Sequence, residues 1–113
     1  MSDNHNYAEH VAERLKRYKK EDIVFTYHAQ IQATFRQIDL NEVTDNLANP
    51  KRLVLAVKGE SAREGTEKFD CLFDYGKNKA HRYIITINAK LIVVTVININ
   101  RKWQHRVDKY AKV

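Results

Sequence analysis

The stretch from Phe25 to Pro50 limits what this chain can become, because it spells two short helices back to back. His28, Ile31, Phe35 and Ile38 recur at spacings of three and four, which sets them on one helical face. Thr26 stands before that run as an N-cap, its hydroxyl free to accept an orphan backbone N–H. Asp39 starts a second helix, with Glu42 at the capping-box position, and Leu40, Val43 and Leu47 form its apolar stripe. Pro50, which lacks a backbone donor, ends it. An αα-hairpin with one apolar face has to lie on something, and the residues after Pro50 are built to supply it.

Leu53–Val57 is apolar on both faces, which predicts a central or covered strand. Phe69, Cys71 and Phe73 alternate with Lys68, Asp70 and Asp74, the pattern of a half-buried strand that packs Cys71 inward. Residues 81–88 and 90–98 are two β-branched runs joined tightly at Asn88-Ala89-Lys90. Before the hairpin, Asn6 opens a helix with Tyr7, Val11, Leu15 and Tyr18 along one stripe, and Ile23–Thr26 is a short β-prone link. After the strands, Trp103, Val107 and Tyr110 are spaced for a short C-terminal helix. The expectation is an α+β fold: an N-terminal helix and an αα-hairpin on a four-stranded antiparallel sheet. It divides into a helical extension (1–22), an α+β domain (23–100) and a basic tail (101–113).

At 113 residues the chain has room for one core. Its net charge of +6 suits an anionic partner without requiring one. The first residues lack the apolar run of a secretory leader, and apolar runs such as Leu91–Val94 are far too short to span a membrane. Cys71, alone, forms no internal disulfide, and these features together lead to a cytoplasmic expectation. No phosphate-binding glycine loop and no metal-spaced His/Cys set occurs, so neither cofactor nor metal is expected.

Thr26-Tyr27-His28-Ala29, then Arg36-Gln37-Ile38, Glu42-Val43 and Leu47-Ala48-Asn49-Pro50, resemble a T-x-H-A domain family of the RelE/ParE-like toxin superfamily, with BrnT as a relative. The resemblance covers about residues 23–100. Where the family pattern has its first arginine, this chain has Gln32. The resemblance implies a compact α+β fold and a toxin–antitoxin setting. The implied activity is metal-independent RNA cleavage through attack by the ribose 2′-OH, acting on ribosome-associated RNA and neutralised by an antitoxin protein.

Such cleavage needs an acid or base and cations around the phosphate. His28 is the candidate acid or base, and Arg36, about 12 Å further along the helix, the candidate cation. Because these two do not meet, Arg82, Arg101 or Arg106 is needed at the sheet end, with His81, His105 and Tyr110 in reserve. Arg101, Lys102, Trp103 and Arg106 form the candidate nucleic-acid surface, with cations for phosphates and a ring for stacking. Each has a structural counterpart: His28 as a core or capping histidine, Arg36 as a surface ion pair with Asp39 or Glu42, and Trp103 as an anchor on the sheet. The alternative function is a non-catalytic module of the same fold that binds nucleic acid or protein. A homodimer formed across the strand edges at residues 83–97 also stays open.

Overall fold

The structure, a computed structural model, describes residues 5–61, 64–76 and 78–99. Helix α1 (Ala8–Leu15) and a 3₁₀ turn (Lys20–Asp22) lead into strand β1 (Ile23–Phe25). Helices α2 (Tyr27–Phe35) and α3 (Leu40–Ala48) follow. Strands β2 (Leu53–Gly59), β3 (Glu67–Gly76), β4 (Lys79–Ile87) and β5 (Leu91–Ile99) complete the described chain. The C-terminal helix expected beyond residue 100 falls outside the described residues.

The α+β class is as expected, but the sheet differs. It has five strands in the order β1-β5-β4-β3-β2, and it is mixed. Residues 53–99 make the antiparallel meander read from the sequence, whereas Ile23–Phe25, read as a link, is a fifth strand parallel to β5. Three residues are too few to display alternation, and β1 is defined by its distant partner, with Ile23 opposite Leu91. Strand β2 is an edge strand, not a central one; Val54, Leu55 and Val57 are exposed. Among the described residues no helix is long and apolar enough to cross a membrane.

All three helices pack on the same sheet face. Val11 and Leu15 of α1, Ala29 and Ala33 of α2, and Val43 and Leu47 of α3 share one core with Phe69, Phe73, Tyr83 and Ile85. The α1 and α3 stripes are those the sequence spells. Thr26 and Asp39 cap α2 and α3, their side chains accepting from Ala29 N and Asn41 N.

Helix α2 is turned the other way. Tyr27 and Phe35 are 79% and 83% exposed, Ile31 and His28 also face solvent, and only Ile38 of the expected stripe is buried. Two alanines face the sheet instead. Their small side chains let the helix backbone come close enough for longer neighbours to reach β5. Gln32 Oε1 accepts the Val96 N–H at 3.1 Å, and Arg36 Nη1 donates to the Val96 carbonyl at 2.6 Å. These bonds serve β5 beyond the point where β1 ends. The other sheet edge is treated alike. Asn6 Nδ2 donates to the Val54 carbonyl, and Asn6 Oδ1 accepts from Ala56 N while also accepting from Ala8 N at the start of α1.

Helix α2 closes with Gln37 at φ 56°, and Ile38 N donates back to the Ala33 carbonyl. This is a left-handed C-cap occupied by a residue other than glycine.

Tight packing at the alanines and solvent at the aromatics predict opposite mutational costs. Ala33→Leu should lower the free energy of unfolding in urea by about 1–3 kcal/mol. Phe35→Ala should change it by no more than about 0.5 kcal/mol. A reversed order would place the aromatic stripe against the sheet.

Candidate functional site

Strand β4 opens with His81, and alternation puts it on the same face as Tyr83, Ile85 and Ile87. His81 is 1% exposed, and its Nδ1 lies 2.6 Å from the Tyr83 hydroxyl. Asn46 arrives from α3 between Val43 and Leu47, so the helix buries its amide with its apolar stripe. The amide nitrogen has two hydrogens. One bonds the Tyr83 oxygen at 2.9 Å and the other the Tyr75 oxygen at 2.6 Å. One side chain on α3 thus joins β3 and β4 through two phenols.

The aromatic rings are stacked as well as bonded. Tyr75 meets His81 edge-on at 5.0 Å between centroids, and Phe73 lies 5.0 Å from Tyr83. Arg52 sits 4.5 Å above the Tyr75 ring, with the Lys79 ammonium 5.2 Å from the same centroid. A cation over an aromatic face is drawn to the negative face of the ring quadrupole.

Burial governs the titration of this cluster. It lowers the pKa of His81, against the pull of Glu42 and with the push of Lys79. It raises Tyr75, where the Asn46 bond opposes and Glu42 reinforces the shift. Tyr83, deeper in the core, is raised further for the same first reason. His81 is therefore an uncharged imidazole at neutral pH.

Asn46 also lines a surface cleft of about 350 Å³, together with Lys20, Asp45, Ala48, Asn49, Lys51 and Arg52. Lys20 Nζ pairs with Asp45 Oδ1 at 2.8 Å across it. Three cations thus stand against one carboxylate, and the buried amide couples the cleft to the His81–Tyr83–Tyr75 network. Among the described residues no group of three or more His, Cys, Asp or Glu is placed to hold a metal ion.

The sequence-derived candidates fall in different places. His28 is exposed on α2, where its Nε2 lies 2.8 Å from Gln32 Nε2. Because Gln32 Oε1 is taken by Val96 N–H, the Gln32 nitrogen is the donor and His28 Nε2 the acceptor. An arginine at position 32 would offer no acceptor for the Val96 N–H, so glutamine suits this chain's own edge contact. Arg36 reaches the same residue, so His28 and Arg36 are linked through Gln32 and Val96 rather than gathered around an open phosphate site.

Arg82 lies on the opposite sheet face, held by Asp70 through a fork of two bonds, one of 2.7 Å from Nε. The structure does not bring it to His28 or Arg36. Arg101, Lys102, Trp103 and Arg106 lie outside the described residues. The sequence reading gave no site role to Asn46, Tyr75, Tyr83 or Arg52, and read Glu42 only as a capping or ion-pair residue. The parity of His81 with Tyr83 and Ile85 was a usable signal for an inward histidine. Nothing local signals the pairing of Asn46 with two tyrosines 29 and 37 residues away. Comparison with known protein families, curated proteins and solved structures finds no match to this chain.

Two expectations follow from burial. The lowered pKa means that the unfolded chain binds a proton at His81 more readily than the folded one. His81's contribution is thus present above the ordinary histidine value of about 6.5 and declines as pH falls below it, towards the lowered folded pKa. Thermal melts from pH 8 to pH 4.5 should show wild type losing more of its stability on acidification than His81→Gln; equal losses would remove His81 as a neutral buried group. Burial also pushes the Cys71 thiol up to about 12. A thiol reagent at pH 8 should leave Cys71 unlabelled in the native chain and label it in urea.

Proposed function

We propose that this chain is a nucleic-acid-binding module that takes the phosphate backbone of single-stranded RNA into the cleft formed by Lys20, Lys51 and Arg52. The observation that carries the reading is the charge of that cleft, three cations to one carboxylate, above a polar floor at Asn46. Phosphates are attracted to such a site, and binding is strengthened by release of their counterions. The sequence adds to it: residues 101–113 hold five cations, Arg101, Lys102, Arg106, Lys109 and Lys112, against Asp108 alone. The likeness of residues 23–100 to RelE/ParE-like proteins points to the same class of partner. The binding branch fits the geometry better than the His28–Arg36 catalytic pair, because Arg36 is engaged by a strand carbonyl.

A second reading, metal-independent RNA cleavage, is favoured by one further observation: Tyr75, which interacts with Glu42, bonds the cleft residue Asn46 and lies under the cleft residue Arg52. Here Glu42 accepts the proton of the ribose 2′-OH, whose oxygen attacks the adjacent phosphorus. Arg52 stabilises the charge that develops on the phosphorane. Tyr75 gives its proton to the departing 5′-oxygen, leaving a 2′,3′-cyclic phosphate and a 5′-hydroxyl.

Fluorescence anisotropy with a labelled single-stranded RNA of mixed sequence tests the binding reading. Affinity should fall steeply between 50 and 300 mM salt. Lys51→Gln and Arg52→Gln should each weaken binding and reduce the slope of log K against log salt by about 0.7 per lost phosphate contact. Variants that bind with wild-type affinity and slope would remove the cleft from the interface. The same RNA, incubated with chelator and resolved on a gel, tests cleavage. Cyclic-phosphate products that persist in His28→Ala and Arg36→Ala and vanish in Glu42→Gln would establish the second reading.

A further inference from the structure

We infer that α2 is the interface of a homodimer, two copies of this chain packing their α2 helices antiparallel about a two-fold axis at Ile31. None of the residues lining the basic cleft is on α2, so this inference is independent of the RNA reading.

The first argument is exposure. Tyr27 and Phe35 are 79% and 83% exposed, and Ile31 is 38% exposed between them. Their spacing of four puts all three on one continuous ridge, about 6 Å apart along the axis at each step. Rings on a helix exterior are normally at least partly covered, and here the helix has given its inner face to Ala29 and Ala33.

The second argument is pattern. An isologous interface must be complementary to itself. The ridge reads aromatic, aliphatic, aromatic, with each ring four residues from Ile31. A two-fold axis at Ile31 sets Ile31 beside its own copy and lays each Tyr27 on the other chain's Phe35. Ridges of this four-residue kind interdigitate in the commonest class of helix packing.

The third argument is charge. Helix α2 contains no Asp, Glu, Lys or Arg, its His28 is bonded to Gln32, and Arg36 at its C-cap donates to the Val96 carbonyl. Nothing on the ridge repels its copy, and antiparallel packing opposes the helix dipoles favourably. A nucleic acid finds no free cation on this face, which favours a protein surface as the occupant. Area sets the strength. Two rings of roughly 150–250 Å² each, with Ile31 and the flanking residues, put the pair at the low end of specific interfaces. The dimer is therefore weak and concentration-dependent.

Sedimentation velocity of the full chain from 5 µM to 1 mM tests this. Wild type should pass from monomer to dimer with a dissociation constant of about 10–100 µM. Ile31→Glu, which sets two carboxylates together at the axis, should stay monomeric throughout while keeping the wild-type melting curve. Tyr27→Lys and Phe35→Glu should each weaken self-association at least tenfold, and an equimolar mixture of the two should restore dimer through the new Lys–Glu contact. A wild-type chain that is monomeric at 1 mM overturns the proposal. So does a dimer that survives Ile31→Glu, or one lost instead in Val57→Lys on the outward face of β2.

Discussion

Asn46 is the point on which the helical layer and the sheet both depend. Its two amide hydrogens go to two phenols, on β3 and β4, and so fix the rotation of α3 about its own axis. Apolar packing through Val43 and Leu47 is non-directional and tolerates small rotations. The amide does not, because a turn that lost either bond would leave a buried polar group unpartnered. Among the described residues every buried side-chain nitrogen and oxygen has a partner, so the network around Asn46 is complete. The same rotation sets Lys51 and Arg52, which follow α3 directly, beside the cleft that Asn46 helps line.

The sheet has a related problem at its margins, since a free strand edge invites pairing with another chain. This chain answers with side-chain amides that imitate a neighbouring strand. Asn6 offers a donor and an acceptor to β2, and Gln32 with Arg36 offers the same pair of functions to β5. Both stitches also fix a helix, α1 through the Asn6 bond to Ala8 and α2 through its own side chains. These bonds occupy edge groups at Val54 and Ala56 of β2 and at Val96 of β5.

Much of the fold is written locally. Capping residues Thr26 and Asp39, the α1 and α3 stripes and the alternation in β3 and β4 can all be read from neighbours in sequence. Helix α2 shows the limit. Its periodicity defines an aromatic face, but periodicity does not say which face turns inward, and two alanines proved better suited to a close approach. Strand β1 was illegible because its identity comes from Leu91–Val93, far along the chain. Leu53–Val57 read as central or covered because it is apolar throughout, although it lies at the sheet edge, where Asn6 bonds Val54 and Ala56. The candidate site was half legible. His81 reads in the sequence as a solvent-facing strand residue and is buried, although its parity with Tyr83 carried the signal, whereas the meeting of Asn46, Tyr75 and Tyr83 is a product of topology alone.

These observations give one account, in which a buried amide holds the α3 layer in register and shapes the ground beneath a basic cleft. A double-mutant cycle on Asn46→Ala and Tyr83→Phe, followed by urea unfolding, tests it most directly. The account predicts a coupling energy of about 1–2 kcal/mol between the two positions. Costs that add to within about 0.5 kcal/mol would contradict it, because the amide and the phenol would then contribute independently.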